Sequence, residues 1–236
     1  MGVFAGPKIP MNNIALHVDT NNTKSYPGSG TSWFDLVTTR SFTANGTQTP
    51  LTIQDGNNCF QFNGSGYWES SGSINDCDMG GDCTLLIWMY HESNEERDTI
   101  FEKAGTSYNS YQQEIAVTLE AGNTFSWYSR RTPNYDVGSA IGFSDNAWHL
   151  LGIKMSTGRT ATGRAGYYSH NGKAWVSGYT SRSDTALETA GNIRIGTGYA
   201  GALEDGKIVS VTTYNRMLSD EEVADFYNAT KTRFGL

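Results

Sequence analysis

No stretch of the chain approaches the roughly 18 consecutive apolar residues that a membrane-spanning helix needs, so the sequence offers no such span. Basic residues are scarce. With 17 Lys and Arg against 24 Asp and Glu the formal charge is −7, and a chain of that sign lacks the basic footprint that neutralises nucleic-acid phosphates. The cysteines are few and odd in number: Cys59, Cys77 and Cys83. Met1–Pro10 carries neither the basic segment nor the apolar core of a secretory leader, and Gly2 is not followed by Ser or Thr at the myristoylation position. Together these lead us to expect reduced thiols in a protein made in the cytoplasm. A Cys77–Cys83 bridge across a small loop is an alternative that spacing alone does not establish.

Recognisable catalytic devices are missing too. No serine sits in a nucleophile elbow, there is no phosphate loop, and the four histidines, His17, His91, His149 and His170, stand isolated along the chain. No internal repeat appears and no linker divides the sequence. A chain of 236 residues that forms one β domain buries enough surface to need no disulfide or metal staple.

What is abundant is glycine, 27 residues, together with Thr, Ser, Asn and Tyr, the composition of many short strands joined by tight turns. Residues 1–13 have no periodic pattern and read as an extended arm before a single domain over 14–236. Ile14–Val18, Cys59–Phe62 and Thr99–Lys103 read as strands, and the loop Ser25–Gly30 leads to Trp33–Leu36. Thr84–Tyr90 is apolar on both alternating faces, as in a central strand covered on both sides. Glu114–Leu119 alternates, turns at Ala121-Gly-Asn123 and returns as Thr124–Tyr128, and in Asn146–Met155 the residues Leu151, Ile153 and Met155 share one face. The Asn171-Gly172 pair predicts a type I′ hairpin, and counting outward from it sets Tyr168 opposite Trp175. Near the end, Ser219 with Glu222 makes a capping box, and Val223, Phe226, Tyr227 and Thr230 form one stripe of a short helix. Some ten to fourteen strands with one terminal helix predict an all-β, two-sheet antiparallel sandwich.

The run Cys83–Tyr90, with Ile100–Lys103, Trp148-His149, the hairpin from Tyr168 to Gly178 and the tail from Ile193 to Phe226, resembles laminin-G-like, concanavalin A-like jelly rolls. The tail Tyr214-Asn-Arg-Met-Leu-Ser-Asp-Glu-Glu222 is similar to that family's closing signature. The opening Leu16–Leu36, with Ser25-Tyr-Pro-Gly-Ser-Gly30 at its centre, resembles such domains in virion proteins of tailed, cyanophage-like bacteriophages, as do the short arm before it and Lys231–Gly235 at the end. One signature departs. Where the family carries two aspartates this chain has Phe62-Asn-Gly-Ser-Gly-Tyr67, so a calcium role in that loop is not carried over.

The resemblance implies a non-enzymatic virion structural protein on the particle surface, in a head decoration or a tail or fibre component. Its partners would be other virion proteins and copies of itself, docked through the arm at Val3, Phe4, Pro7 and Ile9, with no nucleic acid and no membrane insertion. A host-surface glycan is the candidate ligand, and a free lectin module is the alternative. Aromatic faces stack on sugar C–H surfaces, which marks Tyr67, Trp68, Tyr108, Tyr111, Tyr135 and Tyr199 as candidate ligand-binding residues, since all lie in apparent loops. Asp76, Asp78 and Asp82 cluster in a glycine-containing loop and are candidate calcium ligands, although a turn-rich loop uses Asp and Gly for backbone reasons alone. A polysaccharide hydrolase on this fold would need alternate carboxylates on one strand. The nearest match, Glu92-Ser-Asn-Glu-Glu-Arg-Asp98, reads instead as a solvated loop.

Overall fold

The computed structural model describes residues 7–47, 51–72, 81–92, 97–104, 112–131, 134–142, 144–156, 165–180, 191–198 and 200–236. Among the described residues, two eight-stranded antiparallel sheets pack face to face. Numbered along the chain, the first sheet holds β1 (Ile14–Asp19), β4 (Leu51–Gln54), β5 (Asn57–Phe62), β7 (Cys83–His91), β12 (Ala147–Met155), β13 (Ala165–His170), β14 (Val176–Thr180) and β18 (Gly206–Tyr214). The second holds β2 (Ser32–Phe34), β3 (Ser41–Gly46), β6 (Gly66–Ser70), β8 (Asp98–Ala104), β9 (Gln112–Glu120), β10 (Thr124–Arg131), β11 (Asn134–Gly142) and β15 (Ile193–Ile195). A two-stranded ribbon, β16 (Thr197–Gly198) and β17 (Gly201–Ala202), stands apart from both. The architecture is the expected jelly-roll sandwich, with more strands than the sequence suggested because several have only two to four residues, too few to show a period.

The first sheet runs β14-β13-β12-β7-β18-β5-β4, and the second runs β11-β10-β9-β8-β15-β6-β3-β2. One edge of β18 is shared. Gly206–Ile208 pair with Phe62–Phe60 of β5, and Ser210–Tyr214 pair with β1. Thr20 bridges the handover, its hydroxyl donating to Asn58 O at 2.5 Å and Val209 O at 3.2 Å.

Strand β7 shows why its sequence is apolar throughout. Leu85, Ile87 and Met89 enter the core between the sheets, while Leu86, Trp88 and Tyr90 enter a second cluster on the outer face of the first sheet. That outer face is covered by α1 (Asp220–Thr230) and the 3₁₀ turn Lys231–Phe234. The capping box forms as expected, and Val223, Phe226 and Thr230 are buried. Trp88 lies between them, stacked on Phe234 at 4.2 Å and donating its indole N–H to the Thr230 hydroxyl at 2.9 Å.

The opening signature is likewise packing. Tyr26, Trp33, Phe60 and Trp68 form one aromatic nest, with ring centroids 4.5–6.0 Å apart. The Ser25 hydroxyl donates to Phe34 O at 2.6 Å, and Asp35 accepts from the amides of His17 and Val37 at 2.9 and 3.0 Å. Of the arm, Ile9 packs against the outer cluster, Pro7 is exposed, and Asn12 O accepts from Arg216 Nε at 2.9 Å. Val3 and Phe4 lie outside the described residues.

The hairpin register differs from the expected one. Asn171 and Gly172 do adopt positive φ, 52° and 68°. But Tyr168 pairs with Val176, not Trp175, because β14 begins only at Val176. The cause is local. Asn171 still pairs with β12, its amide donating to Leu150 O and its side chain accepting the Leu150 amide, both at 2.9 Å. Trp175 is drawn to the helix instead, donating its amide to Asp220 Oδ1 at 3.0 Å and its indole N–H to Ser219 O at 3.2 Å.

Candidate functional site

The outer face of the second sheet carries a polar row in continuous register. Thr43, Glu69, Arg194, Glu102 and Ala116 are successive cross-strand partners on β3, β6, β15, β8 and β9. Strand alternation dictates their direction. Trp68, Ile193 and Ile195 point into the core, so Tyr67, Glu69 and Arg194 point out. Arg194 Nε donates to Glu69 Oε1 at 2.9 Å, and Asn192 Nδ2 donates to the same oxygen at 3.3 Å. The Arg194 guanidinium also lies 5.3 Å from the centre of the Tyr67 ring, which fixes that ring on the face. Both members of the ion pair keep partial exposure, 17% for Arg194 and 20% for Glu69.

Two strands away a second pair repeats the pattern. Arg97 Nε donates to Glu120 Oε1 at 3.0 Å, and the Thr118 hydroxyl donates to that oxygen at 2.7 Å. Between the pairs lies Glu102, 3% exposed, beneath the β16–β17 ribbon. A Cβ at Gly198 would stand 2.5 Å from Glu102 Oε2 and 2.7 Å from Thr99 Cγ2, so only glycine lets the ribbon approach that closely. The ribbon is strapped down at both ends. Ala200 N donates to Thr99 Oγ1 and Glu204 N to Asp98 Oδ2, both at 3.0 Å. The face thus offers a half-buried aromatic ring flanked by a guanidinium, an amide and carboxylates, groups that hydrogen-bond hydroxyls while the ring meets C–H surface.

A model of the concanavalin A-like lectin/glucanase superfamily matches residues 62–224, more than half of the chain. The chain belongs to the concanavalin A-like lectin/glucanase superfamily. No curated protein sequence matches it. Among solved structures, this concanavalin A-like chain is similar to Trypanosoma rangeli sialidase, with a TM-score of 0.65 and 12% identity over 95% of the chain and 34% of the sialidase. It is also similar to the binding domain of botulinum neurotoxin serotype C1, with a TM-score of 0.68 and 11% identity over 92% of the chain and 52% of that domain. The DC toxin binding domain in complex with SialylT gives 0.68 and 12% over the same shares. The chain spans about a third to a half of these relatives, and at such identity the likeness is one of fold.

Within this concanavalin A-like frame the candidate residues separate. Tyr67 is on the outer face beside Arg194, half-buried. Trp68 is a correction: it is wholly buried in the aromatic nest, because its place in β6 alternates with Tyr67, and it has no surface to offer a ligand. Tyr135 occupies β11, paired with Arg130. Tyr108, Tyr111 and Tyr199 lie outside the described residues. So do Asp76 and Asp78, while Asp82 is exposed just before β7. Among the described residues no group of three His, Cys, Asp or Glu side chains is placed to hold a metal ion.

The ends of the expected solvated loop are more ordered than its composition suggested. Asp98 is buried at the start of β8, and Glu92 accepts a hydrogen bond from Gln61 at 2.8 Å and pairs with Lys207. Burial raises the Glu92 pKa, but the hydrogen bonds from Lys207 and Gln61 outweigh it and leave the carboxyl below its usual range. Cys59 and Cys83 are buried free thiols, and Cys77 lies outside the described residues. Sequence reasoning had not singled out Glu69, Glu102 or Arg194. The signal was present in Ile193-Arg-Ile195, where a charge between two β-branched apolar residues marks an outward position.

Proposed function

We propose that this chain is a non-enzymatic surface protein of a tailed-phage virion that contacts glycans through the outer face of its second sheet. The observation that carries the glycan contact is the Tyr67–Arg194–Glu69–Asn192 cluster, a half-buried ring flanked by hydroxyl-binding groups on the outer face of the sheet. The virion setting rests on the likeness of Leu16–Leu36 and of both ends to phage virion domains. Supporting the glycan reading, structures of the same fold are described as a sialidase in complex with sialic acid and a toxin binding domain in complex with SialylT.

The electrostatics of the face narrow the ligand. Arg194 is paired with Glu69 and Arg97 with Glu120. A sugar carboxylate would have to compete with these carboxylates for each guanidinium. The ligand class that fits is a neutral, hydroxyl-rich saccharide. A glycan array of neutral and sialylated saccharides, read with and without calcium, tests this. Binding to neutral glycans that is lost in Tyr67→Ala supports the reading; no binding in either condition, or binding unchanged in Tyr67→Ala, overturns it.

A further inference from the structure

Strand alternation in the second sheet leaves one further ring on the candidate face. Trp33, Phe42 and Trp68 are buried in the core, so the side chains that alternate with them point outward: Ser32 and Phe34 on β2, Ser41 and Thr43 on β3, Tyr67 and Glu69 on β6. Phe34 is 42% exposed. Single exposed apolar side chains are ordinary on protein surfaces, but the placement of this one is informative. Every other outward side chain of β2 and β3 is a hydroxyl or, at Asn45, an amide. Phe34 and Tyr67 are therefore the two aromatic rings on the β2–β3–β6 part of the face, with Ser41, Thr43 and Glu69 between them.

The register sets the distance between the rings. Phe34 pairs with Ser41 and Tyr67 with Asn45, and β3 lies between β2 and β6. Four residues along β3 span about 13 Å and two strand spacings about 10 Å, so the rings stand ~16 Å apart on the diagonal, about the distance from the first to the last of four linked pyranose rings. The backbone beneath Phe34 is held on both sides. Ser25 O accepts the Phe34 amide at 2.7 Å, and the Ser25 hydroxyl donates to Phe34 O at 2.6 Å. Trp33 before it is wholly buried, and Asp35 after it accepts the amides of His17 and Val37. The Ser25–Gly30 loop thus presents an exposed ring on fixed backbone.

We propose that Phe34 is a second stacking platform of the glycan face, and that the ligand is an extended neutral saccharide chain of about four rings or more rather than a single terminal sugar. This rests on the Tyr67 cluster being a glycan contact, and it adds a length to that contact. The chain crosses β6, β3 and β2 obliquely. One sugar lays its C–H surface on Tyr67 and another lays its own on Phe34, while hydroxyls between them meet Thr43 and Ser41. A phenyl side chain has no donor or acceptor, so Phe34 does not distinguish one sugar's hydroxyl pattern from another's. What it reads is whether the chain is long enough to reach it.

The test is calorimetric titration of cello-, malto- and β-1,4-linked manno-oligosaccharides of two, four and six rings into wild type, Tyr67→Ala, Phe34→Ala, Phe34→Leu and Phe34→Tyr. In wild type at least one series is expected to bind about fivefold to tenfold more tightly at four rings than at two, with little further gain at six. Phe34→Ala and Phe34→Leu should lose that gain and keep the two-ring affinity, Phe34→Tyr should retain it, and Tyr67→Ala should weaken every length. Affinity indifferent to length, or a gain that survives in both Phe34→Ala and Phe34→Leu, overturns the platform and leaves the Tyr67 contact standing. Binding unchanged in Tyr67→Ala overturns both. No binding in any series also overturns the platform, and the glycan array then decides the Tyr67 contact separately. If Phe34→Ala changes the oligomeric state seen by light scattering but not saccharide binding, the ring is a protein contact and the platform is overturned.

Discussion

Arg216 grips Glu222 with two hydrogen bonds of 2.7 and 2.6 Å, and the same carboxylate accepts the Ser219 amide at 2.9 Å. The Ser219 hydroxyl in turn accepts the Glu222 amide at 3.1 Å, so one acid closes the capping box and ties the helix to the strand end that precedes it. Glu222→Ala removes both and is expected to cost about 1–2 kcal/mol of unfolding free energy. Glu222→Gln, which keeps an acceptor for Ser219, should cost less. Urea denaturation at pH 7 measures both.

The same pair gives a pH dependence. The hydrogen bonds from Arg216 hold the Glu222 carboxyl below its usual range, against the raising effect of burial. A depressed carboxylate contributes stability that is present above its unfolded pKa and is lost as pH falls through the lower, folded value. The acid limb of wild-type stability below pH ~4.5 is therefore expected to be shallower in Glu222→Gln. Unfolding midpoints at successive pH values from 5 to 3 read the slope.

Neighbouring aromatics of β6 should behave oppositely. Trp68 packs on Phe60 at 4.5 Å and Trp33 at 5.8 Å and is fully buried, so Trp68→Ala is expected to cost about 3–5 kcal/mol. Tyr67→Ala, on the outer face, should change stability by less than about 1 kcal/mol and act on ligand binding. Thermal unfolding of the two variants separates the roles.

Gly196 joins β15 to the ribbon over the candidate face. Its φ of +88° is strained for any side chain, and a Cβ there would stand 2.0 Å from Phe62 Cε1. It also donates to Ile100 O at 2.8 Å and accepts from Leu203 N at 2.9 Å. Gly196→Ala is expected to lower stability by more than about 2 kcal/mol, measured by calorimetry, and to loosen the ribbon above Glu102.

Most of the fold was legible because its strongest signals are local. The capping box at Ser219 and Glu222, the doubly apolar β7 and the positive-φ Asn171-Gly172 turn all declare themselves within a few residues. What the sequence obscured was non-local. Trp175 left its cross-strand position because a helix 44 residues away accepts its indole N–H, and the very short strands exist only through their neighbours. The candidate face was legible only in part. Tyr67 stood out as an aromatic, but its partner Arg194 comes from a strand more than a hundred residues later, and only the sheet order brings them together. Trp68 looked equivalent to Tyr67 in sequence, and strand alternation separates them.

The most direct test of the proposed virion role is immunogold electron microscopy of purified tailed-phage particles from the source of this sequence, with antibodies raised against the folded protein. Gold on the outer surface of intact particles, at a regular head or tail position, is the result the account predicts. Particles that carry no label while the protein remains in the soluble lysate would contradict it.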